Sequence, residues 1–180
     1  MQLTQIALYP IKSCRGFLLE SAEVTLKGFK GDRELMIVNG DRKFITQRQY
    51  PQLALIEVKI ADGNLTLASA TGHPQPVTFP LREEGDRGEV EIWRDRTLAI
   101  DQGDKAAQWL QTFLETSDNV RLVRQSPQVI RPIDPEYATS PNQPVSFADG
   151  YPFLLTNTAS LDELNRRINA TYQNTDYAVP

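Results

Sequence analysis

A mainly β fold, barrel-like and carrying two helices, is what the sequence predicts, on three observations. Short segments rich in β-branched, aliphatic and aromatic residues recur along the first 125 positions. Turn residues separate them at short intervals, with Asn39-Gly40 and Asp62-Gly63 as the strongest hairpin signals. Only two stretches break this pattern with helical features. Many short strands with regular turns are the mark of a barrel or sandwich.

Taken in order, residues 3–11 read as the first strand and residues 18–26 as the second, which ends at Lys27-Gly28. Strands over 34–38 and 43–46 flank the turn Asn39-Gly40-Asp41-Arg42, and strands over 53–60 and 65–68 flank Asp62-Gly63-Asn64. Residues 77–81, 89–93 and 97–100 add three more, the last two joined across Arg94-Asp95-Arg96. Over 104–115 the apolar residues Ala106, Trp109, Leu110, Phe113 and Leu114 fall on one helical face. Such spacing makes Trp109 a core residue. A strand follows at 120–123. Ser160-Leu161-Asp162-Glu163 has the spacing of a capping box and predicts a helix over 161–168.

Between the last strand and that helix, residues 126–149 are polar and hold Pro127, Pro132, Pro135, Pro141 and Pro144. So long an irregular stretch marks a functional or inter-domain segment. It sets a boundary near 125, dividing the chain into 1–124 and 125–180. It is also expected to be weakly held and the first part cut by a protease.

Composition excludes several functions. The chain of 180 residues carries a net charge of −4 and a pI near 5.1, which argues against a general nucleic-acid surface. One cysteine cannot make an internal disulfide, and no apolar run is long enough to span a bilayer. The expectation is a cytoplasmic protein with no nucleic-acid or membrane partner. His73 is the only histidine, so a zinc-finger ligand set is impossible and a Ser–His–Asp triad would depend on a turn residue. No segment has P-loop or dinucleotide-binding spacing.

Charge is unevenly spread. Residues 1–50 hold eight Lys or Arg against five Asp or Glu, while the remainder holds eleven against eighteen. A basic segment in an acidic chain points to a local anion site or to a solvated face. The stretch "YPIKSCRG" (9–16) concentrates two cations, a hydroxyl and the only thiol at the end of the first strand. In Gly28-Phe29-Lys30-Gly31-Asp32-Arg33, glycine lets backbone amides approach an anion and Arg33 offers a bidentate fork.

"YPIKSCRG", "GFKGDRELMIV" and "FITQRQYPQLALI", in that order, resemble the N-terminal β domain of MOSC proteins, a group that includes the mitochondrial amidoxime-reducing component and its bacterial relatives. "AAQWLQTFL", "VRLVR" and "FADGYPFLLTNTASLDELNRR" extend the likeness into the opening of the MOSC domain itself, so nearly the whole chain is covered. The resemblance implies an N-terminal β domain followed by an incomplete MOSC barrel. It also implies a molybdenum cofactor, the reduction of N-hydroxylated compounds such as amidoximes and hydroxylamines, and electrons from a redox partner or a fused ferredoxin-like domain. Pyridoxal phosphate binding is a further association at the level of the family.

Carried over residue by residue, the resemblance makes Lys12, Ser13 and Arg33 contacts to the cofactor's phosphate and pterin. It places Asp149, Gly150 and Tyr151 at the turn opening the second domain, with Gly150 and Tyr151 standing where the family has small hydroxylated residues. Backbone contacts are therefore expected there. The family's metal-bound cysteine lies toward its C-terminus, beyond the last residue given. The chain is accordingly expected to be a fragment with no catalytic residue or metal ligand of its own, inactive alone, with Cys14 as a packed thiol or a fallback ligand. A sulfur-carrier or cofactor-binding module, and a β-domain scaffold for a protein partner, remain the alternatives.

Overall fold

The computed structural model describes residues 2–171. It is mainly β with two helices, and the strand readings hold in kind while shifting in detail. β1 (Ile6–Leu8) pairs antiparallel with β2 (Phe17–Leu19). What the sequence reads as one strand over 18–26 is two, because a separate ribbon forms from β3 (Val24–Thr25) and β4 (Gly28–Phe29). A four-stranded antiparallel sheet has the order β5-β11-β10-β9, formed by β5 (Leu35–Val38), β9 (Arg87–Ile92), β10 (Asp95–Asp101) and β11 (Arg121–Gln125). β6 (Ile56–Ala61), β7 (Asn64–Ser69) and β8 (Val77–Pro80) make a three-stranded meander. Among the described residues these ladders do not close into one continuous barrel.

Turn chemistry explains what held. Asp62 and Gly63 have φ of 50° and 70° and join Ala61 to its partner Asn64, the two-residue turn with both central residues left-handed that a hairpin favours. Residues 43–46 fall short of a strand. They make isolated bridges only, Val38 to Phe44 and Lys43 to Glu91. The expected strand over 53–60 starts late, because Pro51 opens a 3-10 turn over Pro51–Leu55.

All four residues of β5 are buried, since both faces of its sheet are covered. Leu35 and Ile37 enter the larger core with Leu53, Leu65, Leu67, Phe79, Leu110 and Leu122. Met36 and Val38 point the other way, into a smaller core with Val90, Ile92, Val123 and Phe147. A strand covered on both sides reads as a continuous apolar run, hence "LMIV". α1 (Asp104–Leu114) closes the larger core with Ala106, Trp109, Leu110 and Leu114. The Trp109 indole N–H donates to the Gln75 carbonyl at 2.8 Å.

Residues 126–148, which the sequence reads as weakly held, are anchored at their two ends, at Ser126, Arg131 and Ile133 and again over 145–148, while 134–142 between them are mostly exposed. Phe147 is fully buried beneath the four-stranded sheet, and its N–H donates to the Arg33 carbonyl at 2.9 Å. Gln125 Nε2 donates to the Val145 carbonyl at 2.9 Å. Arg131, only 4% exposed, donates from Nη1 to the carbonyls of Ser146 and Ala148, both at 2.8 Å, and from Nε to Asp95 at 2.7 Å. Satisfying backbone carbonyls with one guanidinium lets an irregular segment be buried without a ladder.

Beyond Ala148 the chain runs over the surface. Gly28, at φ 111°, leaves room for it: a Cβ there would stand 2.6 Å from the Pro152 carbonyl oxygen. Phe153 packs edge-on against Phe29 at 4.9 Å. α2 (Thr158–Thr171) begins three residues before the expected start, because Asn157 caps it, its Oδ1 accepting from Ser160 N–H at 2.8 Å. The last residues of the second expected unit, 172–180, lie outside the described residues. No helix among the described residues is long and apolar enough to cross a membrane.

Candidate functional site

The turn after β1 sets the first wall of the site. Cys14 N–H donates to the Ile11 carbonyl at 3.1 Å, closing a turn with Lys12 and Ser13 at its centre and Ser13 at φ 67°. β5 supports that turn, since Lys12 N–H donates to the Leu35 carbonyl at 2.8 Å. The Gln47 amide donates to the Ser13 carbonyl at 2.8 Å and fixes the turn from the outside. Arg33, also left-handed at φ 49°, is tied to the same end of β1 by its N–H to the Tyr9 carbonyl at 2.6 Å. Two segments twenty-one positions apart in sequence thus share one rim.

That rim opens on a cleft of about 570 Å³. Lys12, Ser13 and Arg33 line one part, Asp149, Gly150 and Tyr151 another, so every position the sequence reading named is brought together. Cys14 also touches the cleft, though its side chain belongs to the larger core. Sequence reasoning missed Arg48 and Trp93, which line the cleft alongside Tyr9 and Phe153. The signal for Trp93 lay in the turn. β9 and β10 pair Ile92 with Asp95, so the turn is Trp93-Arg94, one position earlier than expected.

Lys12 and Asp149 form an ion pair across the cleft, Nζ to Oδ1. The lysine side chain is 8% exposed while the carboxylate is 74% exposed, so the cost of desolvation falls on the ammonium. Burial lowers the Lys12 pKa; Asp149 opposes the shift, and the charges of Arg131 and Arg33 add to it. Burial works to raise Asp149, but the hydrogen bond and charge of Lys12, with the Trp93 indole N–H at 3.0 Å, hold it below its ordinary value. Arg33 Nη1 pairs with Asp32 at 2.9 Å. Asp32 is buried and accepts the Tyr9 N–H at 2.9 Å, yet burial outweighs both partners and raises its pKa.

Cys14 is 2% exposed, and burial pushes its thiol pKa far up, which opposes a thiolate. Around Gly150 a Cβ would meet nothing within 4 Å, so the backbone there is open. Tyr151 leans edge-on to Tyr137 with ring centroids 6.1 Å apart. Among the described residues no group of three His, Cys, Asp or Glu is placed to hold a metal ion. Three cations and a hydroxyl, faced by one carboxylate, give the cleft a donor set of the kind that suits an anionic group.

A second cleft of about 320 Å³ lies elsewhere, lined by Arg42, Arg82, Arg87 and Arg121 with Asp86, Asp101 and Asp104. Arg121 is committed there to Asp101 at 2.6 Å and Asp104 at 2.8 Å.

The fold has known counterparts. Residues 1–117 match the MOSC N-terminal beta barrel domain, and the chain belongs to that family. Mitochondrial amidoxime-reducing component 1 of Homo sapiens is 31% identical over 185 residues, covering 97% of this chain and 53% of the relative. Molybdenum cofactor sulfurase of Homo sapiens is 29% identical over 179 residues, covering 96% of this chain but 20% of that protein. The chain therefore spans about half the length of the amidoxime-reducing relatives it matches. A Bordetella bronchiseptica protein whose solution structure is known shares the fold, with a TM-score of 0.50 and 18% identity over 67% of this chain and 88% of that one.

Proposed function

We propose that this chain serves a molybdenum-cofactor protein by holding the phosphate-bearing end of the cofactor in the Lys12–Arg33 cleft. The observation that carries this reading is the convergence of Lys12, Ser13, Arg33 and Arg48 on one opening, faced by a single carboxylate. That donor set suits a phosphomonoester, which carries close to two negative charges and accepts several hydrogen bonds. The names of the relatives supply the cofactor class.

An incoming phosphate competes with Asp149 for Lys12 Nζ. Arg33 has five N–H donors and can keep Asp32 while reaching the ligand. Because burial disfavours the Lys12 ammonium, a bound dianion gives it the compensating charge that one exposed carboxylate supplies only in part. Ser13, fixed in its turn, offers a hydroxyl that donates or accepts as needed. When bound, the cofactor supplies a metal that exchanges electron pairs and oxygen with its substrate. The reaction we assign to the whole protein is reduction of N-hydroxylated compounds, with electrons from a redox partner.

The test is affinity for a pterin bearing a phosphomonoester, measured by calorimetry. Lys12→Ala and Arg33→Ala each remove a charge-assisted contact and should raise Kd by roughly ten-fold or more. Lys43→Ala, whose partner is Glu91 outside the cleft, should leave it unchanged. Unaltered Kd in either Lys12→Ala or Arg33→Ala would refute the reading.

A further inference from the structure

We propose that Trp93 is the ring-stacking residue of the cleft, the flat surface against which the planar heteroaromatic part of a phosphate-bearing ligand lies. The proposal rests on the assignment of the ligand's phosphate to the Lys12–Arg33 rim, and four observations carry it further.

First, the backbone. Trp93 sits at φ 54°, in the left-handed region where a bulky residue is an outlier. It occupies the first position of a two-residue hairpin turn, which chemistry would fill with Gly, Asn or Asp. A strained position held by a large aromatic side chain, in a cleft wall, is the pattern found at ligand-binding sites.

Second, the ring is held from several sides and still open. Phe44 packs on it at 4.8 Å, and the Arg48 guanidinium lies 5.3 Å from its centre. Its N–H is anchored on Asp149 at 3.0 Å. Even so the residue is 44% exposed and lines the cleft. A pre-positioned ring loses little freedom when a ligand stacks on it.

Third, the ring stands beside the phosphate-binding set without being one of its donors. Lys12 Nζ is 5.8 Å from its centre, and Asp149 joins the two through one oxygen, accepting from both. A ligand holding its phosphate at Lys12 has its ring system within reach of Trp93.

Fourth, the other tryptophan is differently employed. Trp109 is 6% exposed, stacks on Phe113 at 5.2 Å and spends its N–H on Gln75. With two tryptophans in the chain, any ligand-dependent change in indole fluorescence is assignable by removing Trp93.

The experiment titrates the chain with neopterin phosphate, unphosphorylated neopterin and inorganic phosphate. It reads Kd by calorimetry and indole emission by fluorescence, for wild type, Trp93→Ala, Trp93→Phe and Lys12→Ala. Base–aromatic stacking removed by alanine corresponds to a loss of roughly ten-fold in affinity. Trp93→Ala should therefore raise Kd for neopterin phosphate about ten-fold and abolish the ligand-dependent change in indole emission, while Kd for inorganic phosphate stays as in wild type. Trp93→Phe keeps a flat ring but drops the bond to Asp149, and should recover most of the affinity. That recovery separates stacking from a merely structural role, and thermal melts of each variant report folding. Wild-type Kd for neopterin phosphate in Trp93→Ala, with Lys12→Ala weakened, would overturn this proposal and leave the phosphate assignment standing. Absence of neopterin phosphate binding in wild type, or full binding in Lys12→Ala, would overturn both.

Discussion

The two helices of this molecule differ in a way that their sequences do not announce. α1, of eleven residues, buries five of them against the sheets. α2, of fourteen residues, buries none, although it carries Leu161 and Leu164 and a sound N-cap in Asn157. α1 has partners on β8 and β11, whereas the segment that leads into α2 exposes Leu154 at 83% and Leu155 at 75%. Local sequence thus decides whether a helix forms, and the presence of a partner surface decides what it contributes. The intervening residues 126–148, irregular and proline-rich, combine both cases: their ends are buried and 134–142 are mostly exposed.

Truncation in the two helices gives the largest expected contrast. Leu110→Ala removes a fully buried side chain from the larger core and should cost about 2–5 kcal/mol. Leu164→Ala, at a residue 46% exposed, should cost no more than about 0.5 kcal/mol. Chemical denaturation of the two variants checks both figures, and comparable losses would erase the distinction between the helices.

Arg131 sharpens the same comparison at its boundary. Arg131→Ala leaves the carbonyls of Ser146 and Ala148 without their donor and should loosen residues 126–148, at a cost of about 2 kcal/mol or more. Trypsin reads this directly. In the wild type it should cut first at Arg166 or Arg167, which are exposed, and not at Arg131. First cleavage at Arg131 would return the weak point to the boundary near 125 that proline content suggests.

The smallest effect concerns Asp149, which ties the segment leading toward α2 to the turn after β1 through Lys12. Its pKa is lowered in the folded state, so its ionisation stabilises the fold above the unfolded value of about 3.9 and that contribution fades as pH falls through the folded value. An NMR titration of its carboxyl carbon should give a midpoint below about 3.9, and Lys12→Ala should move that midpoint upward. An unmoved midpoint would mean that the ion pair does not form in solution.

Much of this was legible beforehand where the signal is local. The α1 face, the Asp62-Gly63 hairpin and the strand at β5 follow from periodicity and turn chemistry. The 3-10 turn at Pro51 and the split of residues 18–26 into β2 and β3 were hidden, because neither changes apolar content. For the cleft, resemblance named Lys12, Ser13, Arg33 and Asp149, and the structure lines one opening with them. Trp93 escaped because a tryptophan beside a strand reads as its continuation, and only the pairing of Ile92 with Asp95 makes it a turn residue. Arg131 escaped for a different reason. A lone arginine among prolines looks solvated, and its burial depends on backbone carbonyls arranged by residues fifteen and seventeen positions away.

The central claim is that the Lys12–Arg33 cleft, and not the arginine-lined cleft at the start of α1, receives a phosphate-bearing ligand. Amide chemical-shift mapping during a titration with neopterin phosphate addresses it most directly, since both clefts are observed in one sample. The account predicts that the largest shifts fall on Lys12, Ser13, Cys14 and Arg33, with Trp93 and its indole N–H following them. Shifts concentrated on Arg42, Gly88, Gly103 and Asp104, with the first set silent, would contradict it.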